Sequence, residues 1–571
     1  MPAVVTDKFR IDNASNFIDS VNSNNYYVFA GLPNPTAVPP QAGSNTGFGR
    51  NSAWNDNNGE GTPDPTDNLE YLTNYRDSMM FGKKITSSNI RRVVKKYEWV
   101  KNNRFDMYRH DYSDTNLSPI SDALLYTSNY YVINSDFRVY ICIDNGSSGK
   151  KGLATPGTNP TGNASLYEPT FTDLEPSTAA PAGSTSDGYV WKYLFTVSPS
   201  DIIKFDSTEY IVLPNDWSTS TDSQIESVRE SSNSDTNKNQ IKKVYIKNPG
   251  SPSSTAQYET GEYVVDILGD GTGGRVLVTV DGKGRISDTK VVAGGSGYTY
   301  GIVDLSTVRI GTEENSSISA ELIPIIPPSK GHGYDIYEEL GADKVLIYTR
   351  FDSSDPDFST DTKFSQIGII KNPKEFNSEN NFNKNSFSSL FSIKLEEDVD
   401  GNGPLNDSNT IEYVGNVIKQ TIPSDKGGGT ARGYVASYNA STKVLKYFQD
   451  RSLHFGNGVD HLDSINTVQY GKVSNFYTKT NSDDNSPNSI TITTGSVDNN
   501  ITIDTTFGSS GGATAYTTSS GGIIELGSNF IFGLSNPEIN KKTGDIIYID
   551  NRQEVERDLR QKEDIKIVLE F

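Results

Sequence analysis

Hydrophobic and polar positions alternate along this chain in short runs, and long periodic stretches are few. The densest run is Ser186-Asp187-Gly188-Tyr189-Val190-Trp191-Lys192-Tyr193-Leu194-Phe195. An Asp-Gly pair sets a turn, and large apolar side chains then fall on both faces. Residues 188–195 therefore predict a strand buried on two sides. Near the start, Ala14, Phe17, Ile18 and Val21 recur at i, i+3, i+4 and i+7 behind Asp12 or Asn13. That spacing predicts a helix over 12–23, with a strand after it at 26–30. Leu69, Leu72, Met79 and Met80 predict a second helix over 68–81. Two strands are expected at 124–133 and 137–143, joined by a turn at Asn134-Ser135-Asp136. Another is expected at 210–214, and a short helix somewhere in 216–240.

From about residue 241 the pattern shortens. Alternating runs at 244–247, 263–268, 275–280 and 288–292 are separated by glycine-rich turns at 269–274, 281–284 and 294–297. These predict an all-β module. A helix near 337–340 and strands at 345–350 and 366–370 follow. An Asn/Ser-rich stretch at 376–390 reads as a boundary, and 391–532 is again β-rich. Gly271-Thr272 to Arg285-Ile286 lies over Gly429-Thr430 to Lys443-Val444 without a gap, and Gly512-Ala513-Thr514-Ala515-Tyr516 is a weaker third copy. Three copies at irregular spacing describe a reused hairpin, not a solenoid. The apolar end at 565–571 predicts a strand pinned in a sheet. Proline- and glycine-rich stretches at 31–68 and 144–187 read as long surface arms. The fold class expected is mainly β (α+β): multi-domain, with antiparallel sheets or barrel-like modules and a few short helices near the N-terminus.

Composition narrows the function classes. The 571 residues carry a net charge of -21, which repels phosphate backbones and argues against direct nucleic-acid binding. A basic and aromatic stretch at 85–113 (Arg91, Arg92, Lys95, Lys96, Trp99, Arg104, Tyr108, Arg109) reads as a surface that meets an acidic neighbour. The 31 tyrosines argue against disorder. The single cysteine, Cys142, allows no intrachain disulfide. No run approaches about 18 apolar residues, so no membrane insertion is expected. No secretory signal is visible, so synthesis in a cytosol (the cytoplasm) is expected.

Candidate chemistry is sparse. Asp398, Asp400 and Asn402, with Gly403 at the bend, match the first half of a calcium loop, but Asn409 stands where the bidentate Glu belongs. His454 and His461 lack further ligands at zinc spacing. Gly508-Ser509-Ser510-Gly511-Gly512 matches a nucleophile elbow only in letters, since a strand is expected after it where a helix is needed. Gly269 to Gly274 opens a strand, not a phosphate-binding helix. No catalytic residue, metal or cofactor is therefore expected.

Several motifs, kept in order, carry a resemblance. They are Lys8-Phe9-Arg10, Pro63-Asp64-Pro65-Thr66-Asp67, Ser78-Met79-Met80, Arg91-Arg92, Trp99, the 187–195 run, Glu209-Tyr210-Ile211-Val212 with Pro214, Gln366-Ile367, Ile369-Ile370, Asn372-Pro373, Gly544, Ile547-Tyr548 and Asn551-Arg552. With these the chain resembles the baseplate wedge protein family of T-even-like contractile-tailed bacteriophages. The family's Phe-Gly-Arg-x-x-x-Trp stands at Phe48-Gly49-Arg50 and Trp54, while Gly31 to Pro35 occupies the place the helix–strand spacing assigns to it. The resemblance covers about 1–215, 331–375 and 535–571. It implies a core at 1–240 containing the 188–195 strand, an inserted Gly-rich β module at 241–330, a return to the core at 331–375, a second inserted β module at 376–532, and completing strands at 533–571. It also implies a non-enzymatic structural subunit of the virion's tail baseplate. Such a subunit is a homodimer, contacts other wedge subunits, and moves as a rigid body when the baseplate is triggered. A tail-fibre or receptor-binding protein and a virion-borne polysaccharide-degrading enzyme remain as alternatives.

Overall fold

A computed structural model describes residues 4–32, 64–65, 67–147, 159–233, 240–250, 257–308, 310–311, 320–328, 330–396, 405, 410–426, 428–449, 475–481, 484–494, 497–558 and 560–571. The chain divides into two units. One comprises Met1–Phe17, Ile90–Ile347 and Lys566–Phe571; the other comprises Ile18–Asn89 and Tyr348–Ile565. The chain passes between them four times, so neither unit is a continuous stretch of sequence. Both are built mainly from antiparallel strands. Among the described residues, no helix is long and apolar enough to cross a membrane.

In the first unit, the aromatic run forms the strand Tyr189–Thr196. It pairs with Arg138–Asn145, which pairs in turn with Tyr131–Ile133. The turn before it works as its residue types require. Gly188 has φ 92°, Asp187 Oδ1 accepts from Tyr189 N at 3.0 Å, and Ser186 Oγ accepts from Gly188 N at 3.1 Å. Tyr189, Trp191, Tyr193 and Leu194 are fully buried. Ser177 N and O bond to Trp191 O and N, so part of the expected arm lies along this strand as irregular chain.

A second sheet in this unit pairs Ile90–Lys95 with residues 344–347 on one side and Tyr210–Val212 on the other. Ser198 caps the helix Pro199–Phe205 by accepting from Asp201 N, with Pro199 in the first turn, where its missing N–H costs nothing. The helix expected within 216–240 is Ser223–Asn233.

The glycine-rich stretch forms its own four-stranded sheet, in the order Ile286–Ser296, Thr272–Val280, Gly261–Gly269, Gly301–Val303. One face packs Val265, Ile267, Val276, Val278, Ile286 and Val303 into a core with Ile241, Val244, Ile246, Leu322 and Ile326. Of these partners, Val244, Ile246 and Leu322 sit on the ribbon made by Lys243–Pro249 and Ala320–Ile325.

In the second unit, Thr362–Lys371 is the organising strand. It pairs with Tyr26–Gly31 and with Asp545–Arg557. Gly368 is required there: a Cβ would stand 2.3 Å from the Phe29 ring. The internal sequence similarity appears as structure. Thr272–Val280 with Ile286–Ser296, Thr430–Asn439 with Val444–Phe448, and Ala513–Thr517 with Ile523–Ile531 are all hairpins.

Three elements differ from the sequence expectation. The second helix is Leu69–Ser78, and Met79 begins the strand Met79–Ile85. Met79, Met80 and Phe81 are all fully buried beside Tyr26–Gly31, a two-sided burial that a strand supplies and an amphipathic helix does not. The expected strand at 124–133 is a 3-10 turn at Leu125–Thr127 followed by a ladder only at Tyr131–Ile133. The first helix starts earlier, at Asp7, and runs to Ser23.

Candidate functional site

The anchor strand gathers aromatic side chains without opening a cleft. Tyr189 and Trp191 stack with ring centroids 5.3 Å apart, and Phe105 meets Trp191 edge-on at 5.8 Å. Tyr189 Oη donates to Asn163 O at 2.8 Å and accepts from Phe105 N at 2.9 Å. Lys192, in the same strand, is 1% exposed and donates to Leu174 O at 2.7 Å. Burial pushes its ammonium down to about 8. A neutral amine is a nucleophile in principle, but this one is sealed from any substrate.

A second polar cluster has the residue types of acid–base chemistry. His332 Nδ1 and Glu339 Oε1 are 2.5 Å apart, and Gly333 N donates to Glu339 Oε2 at 2.6 Å. Tyr130 Oη donates to the Glu339 carbonyl at 2.6 Å, and the Tyr108 ring stands edge-on to His332. Asp335 caps the short helix Ile336–Glu339 that positions the carboxylate. His332 is 1% exposed and Glu339 is fully buried. Both carboxylate oxygens are engaged within the protein, so the cluster ties the 331–333 loop to the helix and offers nothing to a ligand. Asp144 and Lys243 make a comparable clamp, 2.7 Å apart and buried.

The basic stretch is consumed in the same way. Arg91 pairs with Asp201 at 3.0 Å, Lys96 with Glu98 at 2.9 Å and Arg109 with Asp111 at 2.6 Å. The Arg92 guanidinium lies 3.9 Å from the Tyr337 ring centroid, and that of Arg109 lies 4.2 Å from Tyr245. The acidic neighbours expected for this stretch include residues of this same chain. A cavity of about 130 Å³ beside Leu194, Phe195, Asp201 and Ile225 is well below the size of a drug-like ligand site.

The glycine motifs have a structural cause. Tyr298 lies under the loops, where a Cβ at Gly271 would stand 2.4 Å from its ring and one at Gly295 2.6 Å. Its hydroxyl accepts from Gly274 N at 3.1 Å and donates to Ile267 O at 2.8 Å. Gln240 bonds both the Tyr298 backbone N–H and its carbonyl. The glycines at 271, 274 and 295 thus make room for one buried tyrosine. At Gly508 a Cβ would stand 2.1 Å from Phe530 O, and the turn leads into the strand Ala513–Thr517, so Ser509 and Ser510 sit in no nucleophile elbow. Asp398, Asp400, Asn402, His454 and His461 lie outside the described residues, as does Phe48 to Trp54. Among the described residues no group of three His, Cys, Asp or Glu side chains could hold a metal ion.

What remains is a surface. On the outward face of the four-stranded sheet, Val264, Leu268, Val292 and Ile302 are each more than half exposed. The sequence held a signal for this: Val264-Val265 and Ile267-Leu268 put apolar residues at neighbouring positions, hence on both faces.

Two similarities bear on this arrangement. Residues 3–248 match the family described as bacteriophage T4 Gp8. The "Baseplate wedge protein gp8" of Enterobacteria phage T4 is 26% identical over 224 residues, which is 37% of this chain and 60% of that protein. The chain thus spans under two thirds of that relative's length, and the family match covers under half of this chain. The glycine-caged sheet at 257–308 lies beyond the family match; residues 3–248 are similar to the phage Gp8 family.

Proposed function

We propose that the protein is a structural, non-enzymatic subunit of a contractile phage tail baseplate wedge. On this reading it resides in the virion, associates with a second copy of itself, links neighbouring wedge subunits, and moves as a rigid body when the tail is triggered. The observation that carries the reading is the match of residues 3–248 to the Gp8 family, together with the T4 wedge protein's similarity. The chemistry described above agrees with it. Groups that could act as acid, base or nucleophile (His332, Glu339, Lys192) are sealed and hydrogen-bonded within the fold. An acidic, polar chain also suits a subunit that stays dispersed until it assembles.

The test is genetic. A phage carrying a stop codon early in this gene is grown in a non-suppressing host and its particles are imaged by electron microscopy. The wedge reading expects incomplete or absent baseplates. Complete particles that fail to adsorb would replace it with the fibre reading. Complete particles that adsorb but fail on encapsulated cells would replace it with the polysaccharide-degrading one.

A further inference from the structure

An antiparallel sheet with one solvated face normally turns polar residues outward. The sheet at 257–308 sets large aliphatic residues among them. The register sets its exposed aliphatic residues side by side: Leu268 is directly opposite Ile302, and Val264 is directly opposite Leu277. Lys290 continues the second row on the next strand.

Charged residues stand beside these aliphatic ones. Glu262 and Asp266 stand on Gly261–Gly269, and Arg275 stands on the adjacent Thr272–Val280, opposite Asp266. Lys290 is on the edge strand Ile286–Ser296, and Asp288 sits at its far end opposite Thr279. Glu262 and Asp266 thus lie on one side of the line between the two central strands and Arg275 on the other.

That arrangement is self-complementary. A two-fold axis lying in the plane of contact, along that line, would place Gly261–Gly269 of one copy over Thr272–Val280 of the other. Asp266 of each copy then meets Arg275 of the other, and Val264 meets Leu277. We propose that this outward sheet face, beyond the Gp8-matched segment, is a two-fold docking surface whose occupant is a second copy of the same chain. It deepens the dimeric part of the wedge reading and rests on it.

The patch is small. Four strands spaced about 4.8 Å apart and about seven residues long at about 3.4 Å each give roughly 450 Å² per copy, or about 900 Å² in total. That is the low end for specific interfaces, so association is expected in the micromolar range.

Sedimentation equilibrium of the full chain over about 1–200 µM tests this. Wild-type protein is expected to self-associate. Asp266→Arg brings two cations together, and Arg275→Asp brings two carboxylates together. Each is expected to weaken association at least about ten-fold. An equimolar mixture of the two variants restores opposite charges at both meeting points and should associate within about three-fold of wild type. Both side chains are exposed, and circular dichroism with thermal unfolding checks that the variants are folded. A wild type that stays monomeric overturns both the dimer and this face. Self-association unchanged by either reversal overturns the face alone and leaves the dimer to another surface. A mixture that fails to recover overturns the two-fold geometry.

Discussion

Removing one member of the Asp144–Lys243 clamp has a cost that can be worked from the structure. Their side chains are 2% and 8% exposed and 2.7 Å apart. Asp144 Oδ1 also accepts from Gly146 N at 2.9 Å. Asp144→Ala would leave a buried ammonium and take away the Gly146 N–H's carboxylate partner, at about 3–5 kcal/mol. Lys243→Met leaves the carboxylate its backbone contact but removes the Lys243 counter-charge, at about 3 kcal/mol. The double variant removes both charges, so its cost should fall short of the sum by about 2–3 kcal/mol. Trp99, Trp191 and Trp217 all fall in the unit that holds this pair. Urea unfolding followed by tryptophan fluorescence in a Trp54→Phe background therefore reads the relevant unit. Single variants costing under about 1 kcal/mol, or an additive double variant, would mean the pair is solvated and clamps nothing.

Tyr298→Phe removes a hydroxyl that serves two backbone groups and should cost about 1–3 kcal/mol, with faster amide exchange at Gly274; unchanged exchange there would contradict the cage. Gly271→Ala should cost about 1–3 kcal/mol by pressing on the same ring, and its measured unfolding midpoint should fall accordingly. Burial, with the nearby Glu538 and Asp355 carboxylates, pushes Asp357 up to about 6, and its Oδ1 has no hydrogen-bond partner. The folded value lies above the unfolded one, so the folded state holds the extra proton between about pH 4 and 6, and stability falls as pH rises through that window. Asp357→Asn should thus stabilise by about 1–3 kcal/mol at pH 7 and by little at pH 4, read by urea unfolding at both; destabilisation at pH 7 would refute the assignment. Cys142 is fully buried, and burial pushes its thiol well up. Its reaction with a thiol reagent should be slower by orders of magnitude in native protein than in denaturant, and equal rates would contradict its placement.

Elements set by local chemistry were legible in the sequence. The Asp187-Gly188 turn and the aromatic run after it gave the buried strand, and the Gly-Thr entries gave two hairpins. Elements set by distant partners were not. The pairing of Tyr26 with Lys371 and of Ile367 with Asp550 joins positions that no local pattern connects. Met79 and Met80 fit a helical period, and only the neighbouring strand Tyr26–Gly31 decides that they extend. The His332–Glu339 clamp was likewise invisible, because a buried pair and a catalytic pair use the same residue types. At the outward sheet face, periodicity marked strands correctly, while the apolar residues on the solvent side became evident only once Val264 and Leu268 had a register. The glycine loops at 269–274 could be denied a phosphate role from sequence, but Tyr298 as the reason for them required the packing.

The most direct test of the whole account is cryo-electron microscopy of the phage tail, with this fold placed in the density. The wedge account predicts that the chain lies in the baseplate, in pairs of copies, touching other wedge subunits. Density for the chain along a fibre or at its tip, or none in the tail at all, would contradict it.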